Sequence, residues 1–523
     1  MADKIKEMKP NSRNDLTQGP IFAKLIGFAI PVILGNLCMQ LYNVVDSIVV
    51  GNYVGTDALA AVGAVFPIMM LFNALFMGAS MGAQIVISQT FGAKDEDRLR
   101  IVTNTAIALA IMIGAAITIV GTPLAKPLLQ LIKTPANIIE NSTSYLMIIF
   151  AGTLGNVFFN LGSGALRGMG DSRWPLVAML VSSVTNIVLD LLFVIKFDMG
   201  VAGVAWATTI AHFLSGMIPL WRIQSGAYPV RLHIKDIMHP DKSAAAQIFK
   251  LGLPSSIQNA AMSLGSVVIQ SFANSFGSNF IAANTIIMKT DGFAMMPMMG
   301  LGMASTSFVG QNIGAGKIDR AKKGVHAGQL TAIAVAAFVG VVLYFSGPYI
   351  MKAFGADGQV LMMGVSGIHF LAFCYAFMGM DHVTGGAMRG AGAAIAPAIT
   401  SIMANLIRIP LAYLLAARPL RTEIAQVLAA KSPELAAKAS ELFATGAYKT
   451  LEEAEQSAAA VLAAPNHFMY MFYVMGISMF CGALMIFIYF KFGKWQNKSV
   501  VRRLEAAEAE EAAKAEEADG TEA

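Results

Sequence analysis

Four stretches of this chain, residues 25–45, 58–93, 141–166 and 251–288, contain no Asp, Glu, Lys or Arg. A span of about 20 mostly apolar residues crosses the ~30 Å hydrocarbon core of a bilayer. Lipid offers no hydrogen-bond partners, so each backbone amide must be satisfied within its own segment, which makes such stretches helices. The rest of the composition agrees. Of 523 residues, 56% are hydrophobic and 13% are charged, with a mean hydropathy of +0.61, whereas a soluble globular chain carries about 25% charged residues. A string of soluble domains is excluded, and an all-α polytopic membrane protein is expected.

Reading along the chain places twelve spans near 22–48, 57–90, 101–123, 142–166, 174–195, 200–222, 248–275, 280–312, 322–345, 360–388, 393–416 and 466–490. With the N-terminus inside, the cytoplasmic segments hold 25 Lys and Arg, and the short outer loops hold Lys126, Lys133, Lys196 and Lys352. This asymmetry is the positive-inside bias. It explains the net charge of +5 without a nucleic-acid partner, and it predicts a multi-pass protein of the cell membrane with both termini cytoplasmic. The first 20 residues are polar, so no cleaved signal peptide is expected. Cys38, Cys374 and Cys481 all lie in apolar spans and read as core residues rather than disulfide partners.

The chain repeats itself. Gly164-Ala165-Leu166-Arg167-Gly168-Met169-Gly170 returns 222 residues later as Gly386-Ala387-Met388-Arg389-Gly390-Ala391-Gly392. The same offset carries Pro175 to Pro397, Gln89 to Gln311, Gly92-Ala93 to Gly314-Ala315 and Gly55 to Gly277. Six spans per half is an even number, so both halves enter the membrane in the same direction. Two parallel six-helix lobes around a central cavity are predicted, which is transporter architecture. The expected organisation is a cytoplasmic tail (1–21), an N-lobe (22–223), an inter-lobe linker (224–247), a C-lobe (248–490) and a charged cytoplasmic tail (491–523). The Gly-rich elbow at Arg167 lacks the strand and the Lys-Ser/Thr ending of a phosphate loop. It reads as a tight helix turn with its Arg at the lipid headgroups. Residues 418–464 break the membrane pattern and predict an outer insertion of two short amphipathic helices. Its signals are Ser432-Pro433, a capping box at Thr450 to Glu453 and a Glu434–Lys438 pair.

Ionisable groups inside the spans carry the functional information, because a carboxylate at that depth costs at least ~2.5–3.5 kcal/mol. Asp46 ends the first span, and Asn186 and Asp190 share a face of the fifth. Packed together, two carboxylates and an amide could bind Na⁺ or hold a proton. The alternative is a pair of hydrated, structural acids near the outer interface. In the second half, Lys289 and Asp291 cannot face one another on one helix, and Asp381 and Arg408 join them as buried charges. Interhelical pairing and contact with a substrate both fit these four, and Arg408 could also anchor at an interface. Met288, Met295, Met296, Met298, Met299 and Met303 follow one span. They could line a promiscuous cavity or simply pack. No zinc-ligand spacing and no nucleophile–base set is present, so neither a cofactor nor an enzymatic activity is expected.

The ensemble resembles the multidrug and toxic compound extrusion (MATE) family. The resemblance rests on the twelve spans in two parallel halves, the run Asn43 to Gly51, the paired Ala-Leu/Met-Arg-Gly elbows and the run Gly200 to Thr208. It implies a monomeric antiporter that exports small cationic or amphipathic organic compounds against H⁺ or Na⁺. Asp46 would match the first-span coupling aspartate, Asn186 and Asp190 the fifth-span pair, and Thr208 a hydroxyl of the same site. A branch of the family with a second cation site has an acid where this chain has Ser263, and its tenth-span acid would fall near Met378 rather than Asp381. Coupling through the N-lobe is therefore favoured, with Asp46 and Asp190 as the possible Na⁺ ligands and no other metal. The competing expectation is a lipid-linked oligosaccharide flippase of a related superfamily.

Overall fold

The computed structural model describes residues 14–444 and 450–499. The basic residues before Asn14, the acidic tail from Val500 and the side chain of Asn43 lie outside the described residues. The chain runs through α1 (Ile21–Val54), α2 (Thr56–Ala93), α3 (Glu96–Leu131), α4 (Ile139–Ala151), α5 (Thr153–Gly168), α6 (Arg173–Lys196), α7 (Gly200–Gln224), α8 (Lys242–Asn274), α9 (Gly277–Gly314), α10 (Ile318–Ala353), α11 (Gly358–Gly390), α12 (Ile395–Ala430), α13 (Pro433–Ala444) and α14 (Leu451–Phe492). Ten of these helices are long and apolar enough to cross a bilayer singly, and α4 and α5 form an eleventh span bent by 49° at Gly152.

The twelfth crossing unit is α8. Its 33 residues could reach about 50 Å, yet it is less apolar than the others because it carries Gln258, Asn259, Gln270 and Asn274. Part of this polarity has partners within the protein, since Gln258 Nε2 donates to Ser401 Oγ at 2.7 Å and Asn259 lines the cavity, and α8 lies against α2 of the first half. A Cβ on Gly82 would come 2.1 Å from the Ile248 carbonyl oxygen, and one on Gly252 would come 2.5 Å from that of Gly78. Small residues at a crossing let two backbones approach this closely.

The halves meet at the face that carries Leu16 and Ser499, near the two ends of the described residues, called here the terminal face. The contacts are reciprocal. A Cβ on Gly92 would lie 2.0 Å from the Gln311 carbonyl oxygen, and a Cβ on Gly314 would lie 1.9 Å from that of Gln89. Gln89 Nε2 donates to the Gly390 carbonyl at 2.8 Å, and Gln311 Nε2 donates to that of Gly168 at 3.0 Å. Each residue in one set is 222 positions from its counterpart, so the sequence repeat is a pseudo-two-fold in space. The chain ends join the same pattern: Leu16 N donates to Gln311 Oε1 at 2.9 Å, and Ser499 Oγ donates to Gln89 Oε1 at 3.3 Å.

The linker is strapped to the first half. Arg98 pairs with Asp241 at 3.5 Å and Arg100 with Asp236 at 3.4 Å, while Tyr228 Oη donates to Asp171 Oδ2 at 2.6 Å. Burial, together with the Asp171 carboxylate, pushes the Tyr228 hydroxyl well above its ordinary pKa.

The insertion differs from the expected pair of short helices. Its first piece is the end of α12 and its last piece the start of α14, leaving only α13 as a separate short helix. Leu435 and Ala439 of α13 pack on Ala458 and Ala459 of α14. The capping box forms, with Glu453 N donating to Thr450 Oγ1 at 3.1 Å and Thr450 N to Glu453 Oε2 at 3.3 Å. Lys438, however, pairs with Glu441 at 2.9 Å rather than with Glu434. The i,i+3 acid lies nearer the ammonium in this rotamer.

Among the described residues four short segments are π-helical: Val50–Val54 and Leu191–Lys196 end their spans, and Ile117–Gly121 and Ala412–Ala417 lie within theirs. Such turns are rare in proteins and gather at functional sites. One begins directly after Asp190, and another begins one turn after Asp46.

Candidate functional site: an acid pair beside an N-lobe cavity

A cavity of about 710 Å³ runs through the first half. It is lined along α2 from Val62 to Gln84, a rise of about 33 Å. The second half adds Ser255, Asn259 and Met303. Phe72, Phe76, Phe150 and Phe159 form apolar walls, with Met39, Met69, Met81 and Met179 between them. Asn73, Asn156, Asn160 and His212 interrupt these walls with polar edges. Asp46 and Arg167 are its only charged lining residues among those described, Asp46 toward the far face and Arg167 toward the terminal face.

Behind Asp46 sits the rest of the predicted set. Asp190 is fully buried and Asn186 nearly so, and Asn186 Nδ2 donates to Thr208 Oγ1 at 3.2 Å. The Asp46 and Asp190 side chains face one another across the contact between α1 and α6, and Tyr42 and Tyr145 are turned toward both. One Asp46 oxygen, both Asp190 oxygens and the Asn186 carbonyl oxygen are buried without a hydrogen-bond donor. Four orphaned acceptors in one place are costly. A proton shared between the acids, or a small hard cation among the oxygens, would satisfy them. Tyr42 and Tyr145 were not legible as members, because an aromatic in a span reads equally well as packing.

The predicted second-half residues are not brought together with this cavity. Asp291 faces Tyr375 and Arg408, and Arg408 Nε donates to Ser478 Oγ at 3.2 Å. Lys289 stands over the Phe354 ring, 5.5 Å from its centroid. Asp381 lies beside His382 and Arg389. Met288 is exposed on the helix surface and Met295 packs in the second-half core, so of that methionine run only Met303 reaches the cavity. Arg167 also departs from expectation. Its guanidinium turns inward, Nε donating to Gln84 Oε1 at 3.3 Å and Nη2 to Ser80 Oγ at 3.2 Å, instead of outward to lipid headgroups. Two neutral acceptors on α2 hold it there.

Two parallel six-helix halves about a pseudo-two-fold, with a polar, partly charged chamber, define a membrane transport protein. The MatE family model matches residues 31–192 and 254–414, so the chain belongs to the MatE family of transporters. Similar sequences include the "probable multidrug resistance protein" YoeA of Bacillus subtilis, 27% identical over 74% of this chain and 85% of that protein. YpnP of the same organism is 29% identical over 72% and 84% of the two chains, and the "multidrug export protein" MepA of Staphylococcus aureus is 23% identical over 78% and 90%. Among solved structures, a MOP superfamily transporter from Pyrococcus furiosus superposes with a TM-score of 0.76 at 22% identity, covering 92% of this chain and 97% of that one. An outward-facing MATE family transporter gives 0.71 at 22% identity, over 90% and 99%.

Proposed function

We propose that this protein is a multidrug-type exporter that moves small cationic or amphipathic organic molecules through the first-half cavity, in exchange for H⁺ or Na⁺ taken up at Asp46 and Asp190. The observation that carries the reading is the cluster of donorless oxygens on Asp46, Asp190 and Asn186, placed against the wall of a chamber lined from both lobes. Neutralising the acids removes like-charge repulsion and lets α1 and α6 repack. The π-helical turns that follow each acid can absorb a shift in helical register. The terminal face is taken as cytoplasmic, from the distribution of Lys and Arg. The lobes at 22–223 and 248–490 then rock about their reciprocal seam as a monomer. With the seam joined, the structure corresponds to the state closed toward the cytoplasm. An oligosaccharide flippase would call for a basic chamber, whereas a single basic side chain lines this one.

The test is export of a fluorescent amphipathic dye from proteoliposomes under an imposed pH or Na⁺ gradient. Asp46→Asn is expected to reduce gradient-driven export to the level of protein-free vesicles while the protein still inserts. Wild-type export by that variant refutes the assignment.

A further inference from the structure

We propose that the segments at Asn14–Gly19 and Trp495–Ser499 are latches across the seam, rooted in the second half, so that the terminal face opens only when their tips leave the first half. Both roots lie in one hydrophobic cluster. Leu16 and Trp495, 2% and 1% exposed, share it with the start of α1 and with second-half residues such as Phe308, Val325 and Ile486. Hydrogen bonds fasten the first root further. Leu16 N donates to Gln311 Oε1 at 2.9 Å, while Asn312, Lys317 and Arg320 donate to the carbonyls of Leu16, Thr17 and Gly19 at 3.2, 3.0 and 2.8 Å. At the second root Trp495 Nε1 donates to the Phe490 carbonyl at 2.8 Å, and the Lys498 carbonyl fits so closely on Gly392 that a Cβ there would lie 2.5 Å from it.

Each tip then reaches over to the first half. Asn14 Nδ2 donates to Asp171 Oδ2 at 3.5 Å, and the Asn14 carbonyl lies where a Cβ on Gly170 would come within 2.0 Å. Ser499 Oγ donates to Gln89 Oε1 at 3.3 Å. The roots bury large apolar side chains, whereas these tip contacts are long for hydrogen bonds. Asp171 also loses little when Asn14 leaves, because it still accepts from Tyr228 Oη and from the Arg173 and Trp174 amides. The weak links therefore lie on the first-half side. Separation of the lobes breaks there, and both segments travel with the second half. Helix α1 joins the first latch to the acid pair: Leu25, Phe28 and Val32 pack in the second-half cluster, and Val49 and Val50, just past Asp46, pack in the first-half core.

The experiment reads opening of the seam and needs neither cargo nor gradient, so its outcome is separate from that of the export assay. Ser88 is fully buried on α2, with its hydroxyl against Gly310 of the other half. Ser88→Cys, with Cys38, Cys374 and Cys481 replaced by Ser, is labelled with a polar maleimide in the full chain held in lipid nanodiscs. Asn14→Asp is isosteric and sets a second carboxylate against Asp171. It should raise the labelling rate about tenfold, corresponding to about 1.4 kcal/mol. Ser499→Ala should raise it less, and the two together more than either alone. Adding Asp171→Asn to Asn14→Asp removes the repulsion and should bring the rate back toward that of the unaltered latch, a repair that a general loosening of the fold would not show. Labelling that stays unchanged in both Asn14→Asp and Ser499→Ala overturns the proposal, and so does a raised rate that Asp171→Asn fails to lower.

Discussion

The two halves of this molecule share a scaffold and differ in where charge is placed. The offset of 222 that carries the elbows and the seam also carries Tyr42 to Leu264, Asp46 to Val268, Asn186 to Arg408 and Asp190 to Ala412. The π-helical turn survives the comparison, following Asp190 in one half and beginning at Ala412 in the other. The first half therefore gathers two acids with no cation beside them among the described residues, next to a chamber. The second half distributes its acids among cations: Asp291 with Arg408, and Asp381 with Arg389. Balanced buried charges hold helices together, whereas unbalanced ones wait for a partner from outside. One register turn, at Leu191 and at Ala412, belongs to the shared frame, whereas the bend at Gly152 and the unpaired acids belong to the first half alone.

The comparison breaks most visibly at its acids. Asp190→Asn is expected to abolish gradient-driven export, because a neutral amide has no proton to exchange and no negative charge to offset a cation beside Asp46. Asp291→Asn is expected to keep coupled export, since its carboxylate answers Tyr375 and Arg408 rather than the chamber. Initial rates in proteoliposomes at a fixed gradient decide the matter, and uncoupling by Asp291→Asn would place a second ion site in the C-lobe.

The spans, the repeat and the acid set were legible because lipid allows few exceptions. A charge-free run must be a helix, and an intramembrane carboxylate must have a reason. Asp46, Asn186, Asp190 and Thr208 come together as their spacing and family resemblance implied. Other features left no such trace. Which way Arg167 points depends on Ser80 and Gln84, more than 80 residues away in sequence. The polar residues of α8 find their places through partners on other helices, such as Ser401 for Gln258, that no single helix displays. A π-helical turn adds one residue to a helix without altering its composition. The cavity is lined mostly by the first half, with Ser255, Asn259 and Met303 from the second, and that follows only from how the helices pack.

A middle-sized effect is expected where the halves are alike. Gly92→Leu and Gly314→Leu each place a side chain where the opposing backbone now sits. Both should wedge the terminal face apart and slow export several-fold. A cysteine introduced at buried Asn312, with Cys38, Cys374 and Cys481 replaced by Ser, should then react several-fold faster with a membrane-impermeant maleimide added at that face. Equal effects from the two variants sharpen the pseudo-two-fold. An effect from one alone would show that a single lobe carries the seal.

The smallest effect separates structural charge from exchangeable charge. Tyr375 is buried on α11 with its hydroxyl turned to Asp291, whose Oδ1 already has no donor. Tyr375→Phe removes the remaining phenolic donor and leaves more of that carboxylate unsatisfied. Stranding a buried acceptor costs about 1–3 kcal/mol, so the midpoint of thermal unfolding in detergent should fall. Arg408 lies within electrostatic range of Asp291 and offers it a fixed counter-charge, so the gradient dependence of export should not move. Tyr42→Phe is the matching change in the first half, where the hydroxyl faces Asp46, Asp190 and Thr208. There the gradient dependence should shift, because the neighbouring acids have no cation to fix their charge. If both phenylalanine variants alter stability alone, the hydroxyls are packing elements in both lobes, and the distinction between the halves reduces to the acids themselves.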